Sequence, residues 1–227
     1  MEMRFGTLCG VSLFAIAGVL LAGCSGMPQP VESVRPETVR FQTADVGKVP
    51  RDFSMALTGG GGPISWVVRE DPKAPGRGPV VVQESSDDMK YRFPMCVYDK
   101  VTARDVAVEV KFKAIAGKVD EAGGIVLRYS PENYYIARAN ALENNVILFK
   151  TVKGKRKKIE EEPVQVSAGE WHTLRFEAKG RHLKIFFDGQ LVIDRHDGTF
   201  KEAGKVGLWT KADSVSAFAD LKIDPIR

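Results

Sequence analysis

The chain has 227 residues, which is enough for one sizeable domain. Its hydrophobic content of 44% and charged content of 27% are ordinary for a globular protein, so neither a disordered chain nor a polytopic membrane protein is indicated. The formal net charge is only +4, and the basic run at residues 153–158 precedes three glutamates and contains no aromatic residue. We therefore expect a solvated hairpin tip there, with contact to acidic lipid head groups or polyanionic polymers as the alternative, and no nucleic acid partner.

Residues 1–23 have the features of a bacterial lipoprotein signal peptide. Arg4 supplies a basic n-region, residues 8–21 form an apolar h-region, and the sequence Leu-Ala-Gly-Cys ending at Cys24 resembles a lipobox. We expect cleavage before Cys24, acylation of its thiol with a fatty acid such as palmitate, and anchoring of the chain to a membrane. The alternative is an uncleaved transmembrane helix, because residues 5–23 are nearly long enough to span a bilayer.

Residues 24–40 follow as the lipidated cysteine and a flexible tether, with three prolines and few apolar residues. A chain anchored in this way lies in the cell envelope. Ser25 resembles the signal that sends lipoproteins to an outer membrane, at its periplasmic side or the cell surface, if the cell is diderm. Cleavage leaves Cys96 as the only cysteine of the domain at residues 41–227, so we expect a buried free thiol and no internal disulfide.

The first half of this domain shows strand patterns. Val106, Val108 and Val110 alternate with polar or small residues, as in a half-buried strand of a two-layer sandwich. Four consecutive glycines at residues 59–62 form a loop. A nucleotide site is not predicted there, because no Lys-Ser or Lys-Thr follows the glycines.

The segment from residue 123 to residue 152 contains runs of apolar residues, which predicts strands covered on both faces. Polar residues in such strands are therefore informative. Alternation predicts that Arg138 shares a face with Tyr134 and Asn140, and that Arg128 on the neighbouring strand lies on the same face. The alternative is that both arginines form structural ion pairs, for example with Glu109 or Glu143.

Residues 169–223 read as strands separated by clear turns. Leu174, Phe176 and Ala178 alternate with polar residues, and Asp188-Gly189 is typical of the type I′ turn of a β-hairpin. With the earlier strands, this predicts an all-β chain folded as an antiparallel two-sheet β-sandwich.

Four motifs carry a family resemblance: Gly-Glu-Trp-His-Thr-Leu-Arg-Phe at 169–176, Ile-Phe-Phe-Asp-Gly at 185–189, Gly-Lys-Val-Gly-Leu-Trp-Thr at 204–210 and Phe-Ala-Asp-Leu at 218–221. Their order resembles the C-terminal strands of the concanavalin A-like lectin/glucanase superfamily, which has a jelly-roll sandwich. Within it, the chain is most similar to the laminin-G-like and 3-keto-disaccharide hydrolase-like domains of bacterial envelope proteins. The resemblance extends upstream through residues 122–150.

In that superfamily the concave face of a sheet holds the sugar, so the resemblance implies a carbohydrate site on the central strands. Arginine forks and amides bind hydroxyl pairs, and aromatic rings stack on sugar rings. The candidate ligand-binding residues are Arg128, Tyr134, Arg138, Asn140, Trp66 and Trp209. For both tryptophans, the alternative is a position in the core.

Catalytic patterns are mostly absent. A retaining glycosidase of this superfamily carries Glu-x-Asp-x-x-Glu or Glu-x-Asp-x-Glu on one strand, and neither spacing occurs here. No cofactor is predicted, although a structural calcium ion could use Asp194, Asp197, Asp213 or Asp220. The expected function is a carbohydrate-binding or adhesive domain on an envelope lipoprotein. The alternatives are a hydrolase of 3-keto-disaccharides, implied by the resemblance, and a purely structural module.

Overall fold

This computed structural model describes residues 1–2 and 35–226. The predicted signal peptide and lipidated Cys24 therefore lie outside the described residues, apart from the first two. The described chain forms fifteen strands: β1 (Glu37–Val39), β2 (Phe53–Gly59), β3 (Trp66–Arg69), β4 (Val80–Gln83), β5 (Arg92–Ala103), β6 (Val106–Ala116), β7 (Ala122–Ser130), β8 (Asn133–Asn140), β9 (Asn145–Val152), β10 (Lys155–Pro163), β11 (His172–Lys179), β12 (His182–Phe187), β13 (Gln190–His196), β14 (Gly204–Trp209) and β15 (Val215–Pro225).

The strands form two sheets. Sheet A has the order β13-β12-β11-β6-β15-β4-β3, with β1 also paired to β15, and sheet B has the order β10-β9-β8-β7-β14-β5-β2. Neighbouring strands are antiparallel in both sheets. This architecture confirms the predicted antiparallel two-sheet β-sandwich.

The main core lies between the sheets and is built from alternate residues of each strand. Val106, Val108 and Val110 are fully buried in it, as their alternation predicts. The hairpin between β12 and β13 turns at Asp188 and Gly189, which have φ angles of 47° and 82°. Two positive φ angles are what a type I′ turn requires, so the sequence prediction is confirmed there.

Regular structure begins before residue 41, where the sequence predicted the start of the domain. Strand β1 lies inside the predicted tether, yet it pairs with β15, and Tyr98 donates a hydrogen bond of 2.6 Å to Glu37.

Cys96 is a free, buried cysteine, as expected, and burial raises the pKa of its thiol. Among the described residues, no helix has the length and apolar character needed to cross a membrane.

Sheet B curls strongly about its own outer face. Tyr91 lies just before β5. Its hydroxyl donates a hydrogen bond of 2.7 Å to the carbonyl of Gly154, which precedes β10, and accepts one of 3.0 Å from the backbone amide of Arg156 in β10. Because β10 and β5 are five strand spacings apart, a flat sheet would separate them by about 24 Å. The outer face of sheet B is therefore concave, and its two sides meet at Tyr91.

Candidate functional site

Aromatic rings line the concave face of sheet B. Trp209 on β14 stacks on Phe93 of β5, with ring centroids 5.6 Å apart and an interplanar angle of 19°. Tyr134 of β8 and Phe149 of β9 belong to the same buried cluster. We call these four residues the cup. They lie on the face opposite the main core, so burial there depends on the curl of the sheet and on what covers it.

Arg156 covers the cup. Its guanidinium lies 4.6 Å from the Phe93 ring centroid, 4.3 Å from that of Phe149 and 5.8 Å from that of Trp209. Burial lowers the pKa of Arg156, and the positive charge of Arg138 acts in the same direction. The sequence prediction of a wholly solvated basic hairpin is wrong for this residue, because the curl turns its side chain over the aromatic rings.

Arg138 is the centre of a polar cluster at one end of the cup. It lies on β8 with 1% of its surface exposed. Its Nη2 donates to Glu143 Oε2 and to Asn145 Oδ1, each at 2.6 Å. The Asn145 amide nitrogen donates in turn to Glu161 Oε1 at 2.7 Å. One guanidinium, one amide and two carboxylates are thus held together by strands β8, β9 and β10 and the turn between β8 and β9.

Asp120 closes the cluster from the loop before β7. It is fully buried, its Oδ2 lies 3.8 Å from Arg138 Nη1, and it forms an ion pair with Lys211. Asn140 donates to Asp120 Oδ1 at 2.9 Å. Burial raises the pKa of the Asp120 carboxyl, against the opposing charges of Arg138 and Lys211.

The exposed carboxylates of the cluster are ionised. Burial opposes ionisation of Glu143, but the hydrogen bond and charge of Arg138 outweigh it, so the pKa of Glu143 is lowered. Lys158 lowers the pKa of Glu161 through a hydrogen bond. The Glu143 side chain is 44% exposed and that of Glu161 is 36% exposed. The cluster therefore presents two carboxylates to solvent, with buried cations behind them.

Four donors around the cup have no hydrogen-bond partner among the described residues. They are Arg138 Nε, Arg156 Nη1, Trp209 Nε1 and the Tyr134 hydroxyl. Buried polar groups of native proteins are nearly always paired, so unpaired donors in one place need an explanation. Because Arg156 covers the cup, oxygen atoms of a ligand would reach these donors only after its side chain had moved aside.

Arg128 does not join this cluster, contrary to the prediction from alternation. Its φ angle is 52°, and the pairing of β7 with β8 shifts register between Leu127 and Ser130. This irregularity turns the side chain of Arg128 off the concave face. Its guanidinium is instead bonded to the carbonyls of Arg104, Phe200 and Gly180.

The other predicted residues divide between the core and the concave face. Trp66 is fully buried between the sheets, 5.7 Å from the ring centroid of Phe218, so the structure places it in the core and not at a ligand platform. Trp209 and Tyr134 lie in the cup, and Asn140 lies in the polar cluster. The structural pairing of Arg138 with Glu143 was the alternative left open by the sequence, and it is present. Glu109 pairs with other cations, Arg175 and Lys222.

The aspartates suggested as calcium ligands are engaged elsewhere. In the part of the chain that the structure describes, no group of three or more His, Cys, Asp and Glu side chains could hold a metal ion. Each of the four aspartates has other partners: Asp194 pairs with His182 and Lys184, Asp197 with Lys150, and Asp220 with Arg40, and Asp213 accepts from the backbone amides of residues 118–120.

Sequence reasoning missed several members of the cluster. Asp120, Asn145, Glu161 and Lys211 come from separate segments, and none stands in a recognisable motif. Only Asn145 could have been found from the sequence, because it follows the turn after Asn140 and therefore lies near that residue. The other three are recognisable only after the strands are placed side by side.

Comparison with known proteins gives the fold and a family. The chain is 35% identical to the levanase of Bacillus subtilis (strain 168) over 89 residues, which are 38% of this chain and 13% of the levanase. The carbohydrate binding module CBM66 from Bacillus subtilis superposes with a TM-score of 0.59 at 22% identity, covering 76% of this chain and 95% of the module. Domain 4 of AbnA, a GH43 extracellular arabinanase from Geobacillus stearothermophilus, solved with arabinotriose, gives a TM-score of 0.53 at 12% identity over 85% of this chain and 94% of that one.

A family model covers most of the chain. The model of the 3-keto-alpha-glucoside-1,2-lyase-like domain matches residues 65–224, which include every strand from β3 to β14. This match confirms the resemblance drawn from the motifs at residues 169–221. The chain therefore belongs to the 3-keto-alpha-glucoside-1,2-lyase-like domain family.

Proposed function

We propose that this chain is a carbohydrate-binding module that takes a neutral sugar at the polar cluster beside the cup. The observation that carries the proposal is the arrangement of Arg138, Glu143, Asn145 and Glu161 at one end of an aromatic concave face, where the two glutamates are partly exposed. A sugar needs donors and acceptors for its hydroxyls, together with an apolar surface for its ring, and protein sites supply them in this combination.

The charge balance of the cluster favours a neutral ligand. Each carboxylate of the cluster is paired with a cation of its own, Asp120 with Lys211, Glu143 with Arg138 and Glu161 with Lys158, so the charges of these ion pairs are balanced. A charged ligand would gain little in such a field. Hydroxyl groups both donate and accept hydrogen bonds, so they match a cluster made of a guanidinium group, amides and carboxylates.

The names of the similar proteins suggest which sugars to test first. One is a levanase, another a carbohydrate binding module and a third an arabinanase domain solved with arabinotriose. Levan and arabinan oligosaccharides are therefore the first ligands to titrate.

Calorimetric titration of the full chain with these oligosaccharides tests the proposal. Glu143→Gln removes an exposed acceptor charge without emptying the site, and should weaken binding by roughly tenfold, the equivalent of about 1.4 kcal/mol. The control is Glu84→Gln, which removes a surface carboxylate paired with Arg69. Equal affinities for both variants would place the sugar elsewhere.

A second candidate function is the chemistry in the family description. Elimination across C1 and C2 of a 3-keto-glucoside needs a base to take the C2 proton, which is acidic beside the carbonyl, and a proton for the departing oxygen at C1. The cluster supports this candidate because it contains two carboxyl groups whose pKa values are shifted in opposite directions: the pKa of accessible Glu143 is lowered, and that of Asp120 is raised. Asp120 is fully buried, so it would act only through a neighbour.

Incubation with a 3-keto-disaccharide separates the two candidates. Turnover that is lost in Glu143→Gln and kept in Glu84→Gln would make the chain an enzyme. Binding without release of a monosaccharide supports the module.

The anchor completes the proposed function. We place the module in the cell envelope, held through acylated Cys24, on the basis of the lipobox-like sequence that ends there. Cys24→Ser should abolish incorporation of labelled palmitate and leave an uncleaved precursor. Unchanged labelling of that variant would refute the anchor without affecting the sugar site.

A further inference from the structure

Arg128 joins three loops at the end of the sandwich. Its side chain is buried, and its guanidinium donates to the carbonyls of Arg104 at 2.9 Å, Phe200 at 2.7 Å and Gly180 at 2.8 Å. A planar guanidinium has its donors in a fixed fork, so these three backbone segments are held at set positions around it.

Each of the three loops presents a cation at this junction. Arg104 is itself one of the bonded residues, Arg181 follows Gly180, and Lys201 follows Phe200. All three residues line one pocket of about 480 Å³, together with Gly180, Gly198, Thr199 and Phe200. We call it the basic pocket.

The three cations are not neutralised within the described chain. The side chains of Arg104, Arg181 and Lys201 form no hydrogen bond or ion pair with any described residue. Most arginines elsewhere in the domain are paired, including Arg51, Arg69, Arg138, Arg175 and Arg195. Three unpaired cations around one small pocket form a concentrated positive field.

The nearby carboxylates are already used. Asp105 accepts from the Gly180 amide at 2.7 Å and lies 3.4 Å from Arg128 Nη2. Asp197 accepts from Lys150 Nζ at 2.5 Å and from the Tyr135 hydroxyl at 2.7 Å. Each acid thus faces a buried or half-buried cation of its own, and neither compensates the three cations of the pocket.

Arg181 is also positioned before any ligand arrives. A Cβ at Gly198 would lie 3.0 Å from Arg181 Nε and 3.3 Å from its Cδ, so the arginine stem packs against the bare backbone of that glycine. An ordered guanidinium loses less conformational freedom on binding than one that moves freely in solvent.

We infer that the basic pocket binds a phosphate-type oxyanion, either free or as an ester on a sugar. Two arginine forks and an ammonium group match the several oxygens of such an anion, and the pocket is too small for a polymer to fold into. This site is separate from the polar cluster, which is balanced in charge and lies on the concave face.

Calorimetric titrations of the full chain at low ionic strength test the inference, because salt screens an exposed site. The soluble probes are inorganic phosphate, glucose 6-phosphate and glucose, and vesicles of phosphatidylglycerol are tested separately. The test variants are Arg104→Gln and Arg181→Gln. The matched control is Arg77→Gln, which removes an exposed arginine outside the pocket.

Each test variant should weaken binding of inorganic phosphate by roughly tenfold, since each removes a charge-assisted hydrogen bond, while the control leaves it unchanged. Equal affinity for both phosphates would identify a free anion, and tighter binding of glucose 6-phosphate would identify an ester. No phosphate binding by the wild type, or equal weakening by the control, would overturn the inference. Binding only to vesicles of phosphatidylglycerol would also overturn it, since the ligand would then be a membrane surface.

Discussion

Replacing Arg138 by alanine is the change that most directly tests the polar cluster. Arg138 is 1% exposed, and its Nη2 makes two hydrogen bonds of 2.6 Å. The variant would leave Glu143 and Asn145 without their shared donor. It would also remove a guanidinium that lies 5.6 Å from the ring centroid of Phe149.

The expected loss of stability depends on which hydrogen-bond and ion-pair partners remain for Glu143 and Asp120 in the variant. Glu143 has 44% of its side chain exposed, so water can replace its lost donor. Asp120 is fully buried, but Lys211 and Asn140 still compensate it. We therefore expect the lower end of the range for breaking a buried ion pair, a loss of about 3 kcal/mol in the free energy of unfolding.

Urea denaturation of the full chain, followed by circular dichroism, measures this loss. The control is Arg51→Ala, which breaks an ion pair of 2.9 Å with Asp45, but on an arginine that is 61% exposed. We expect less than about 1 kcal/mol there, as for surface pairs in general. A loss for Arg138→Ala no greater than that of the control would refute the assignment of Arg138 as a structural centre.

Three further results are expected. Arg156→Ala should uncover the cup and increase quenching of tryptophan fluorescence by acrylamide, and the increase should be absent when Trp209 is also changed to phenylalanine. Burial raises the pKa of the Tyr135 hydroxyl to about 12, so the stability that this group contributes is present below its unfolded pKa of about 10 and is lost as the pH rises through about 12. Tyr135→Phe should therefore reduce the fall in the free energy of unfolding over that pH range, and an unchanged fall would count against the shift. Cys96→Ala should cost on the order of 1 kcal/mol, with a melting curve that reductant does not alter, because Cys96 is a free buried thiol.

The fold could be predicted because its determinants are local. Alternation at Val106, Val108 and Val110 sets which face of β6 is buried, and the Asp188-Gly189 pair sets the hairpin that follows β12. Neither feature depends on distant parts of the chain. The curl of sheet B does depend on them, since it is seen in the contact of Tyr91 with Gly154, and no sequence pattern predicted it.

The candidate site could be predicted only in part, for a reason that Arg128 and Arg138 illustrate. Alternation assigned both to one face, and it held for Arg138 on the regular part of β8. One residue with a positive φ angle on β7 was enough to redirect Arg128. Asp120 lies in the loop before β7 and Lys211 in the loop after β14, so only the assembled sheet brings them to Arg138.

Arg128 and Arg138 also mark the positions of the two proposed ligand sites, the basic pocket and the polar cluster. Arg138 pairs with Gly124 across the β7–β8 hairpin, and Arg128 lies four residues further along β7, which is about 13 Å of strand. The polar cluster and the basic pocket share no residue, and their charges differ, since the first is balanced and the second has unpaired cations. Groups that far apart without common partners act independently, so a sugar at one end of the hairpin does not compete with an anion at the other. A sugar phosphate or a phosphorylated glycan could therefore engage either site through a different part of the same molecule.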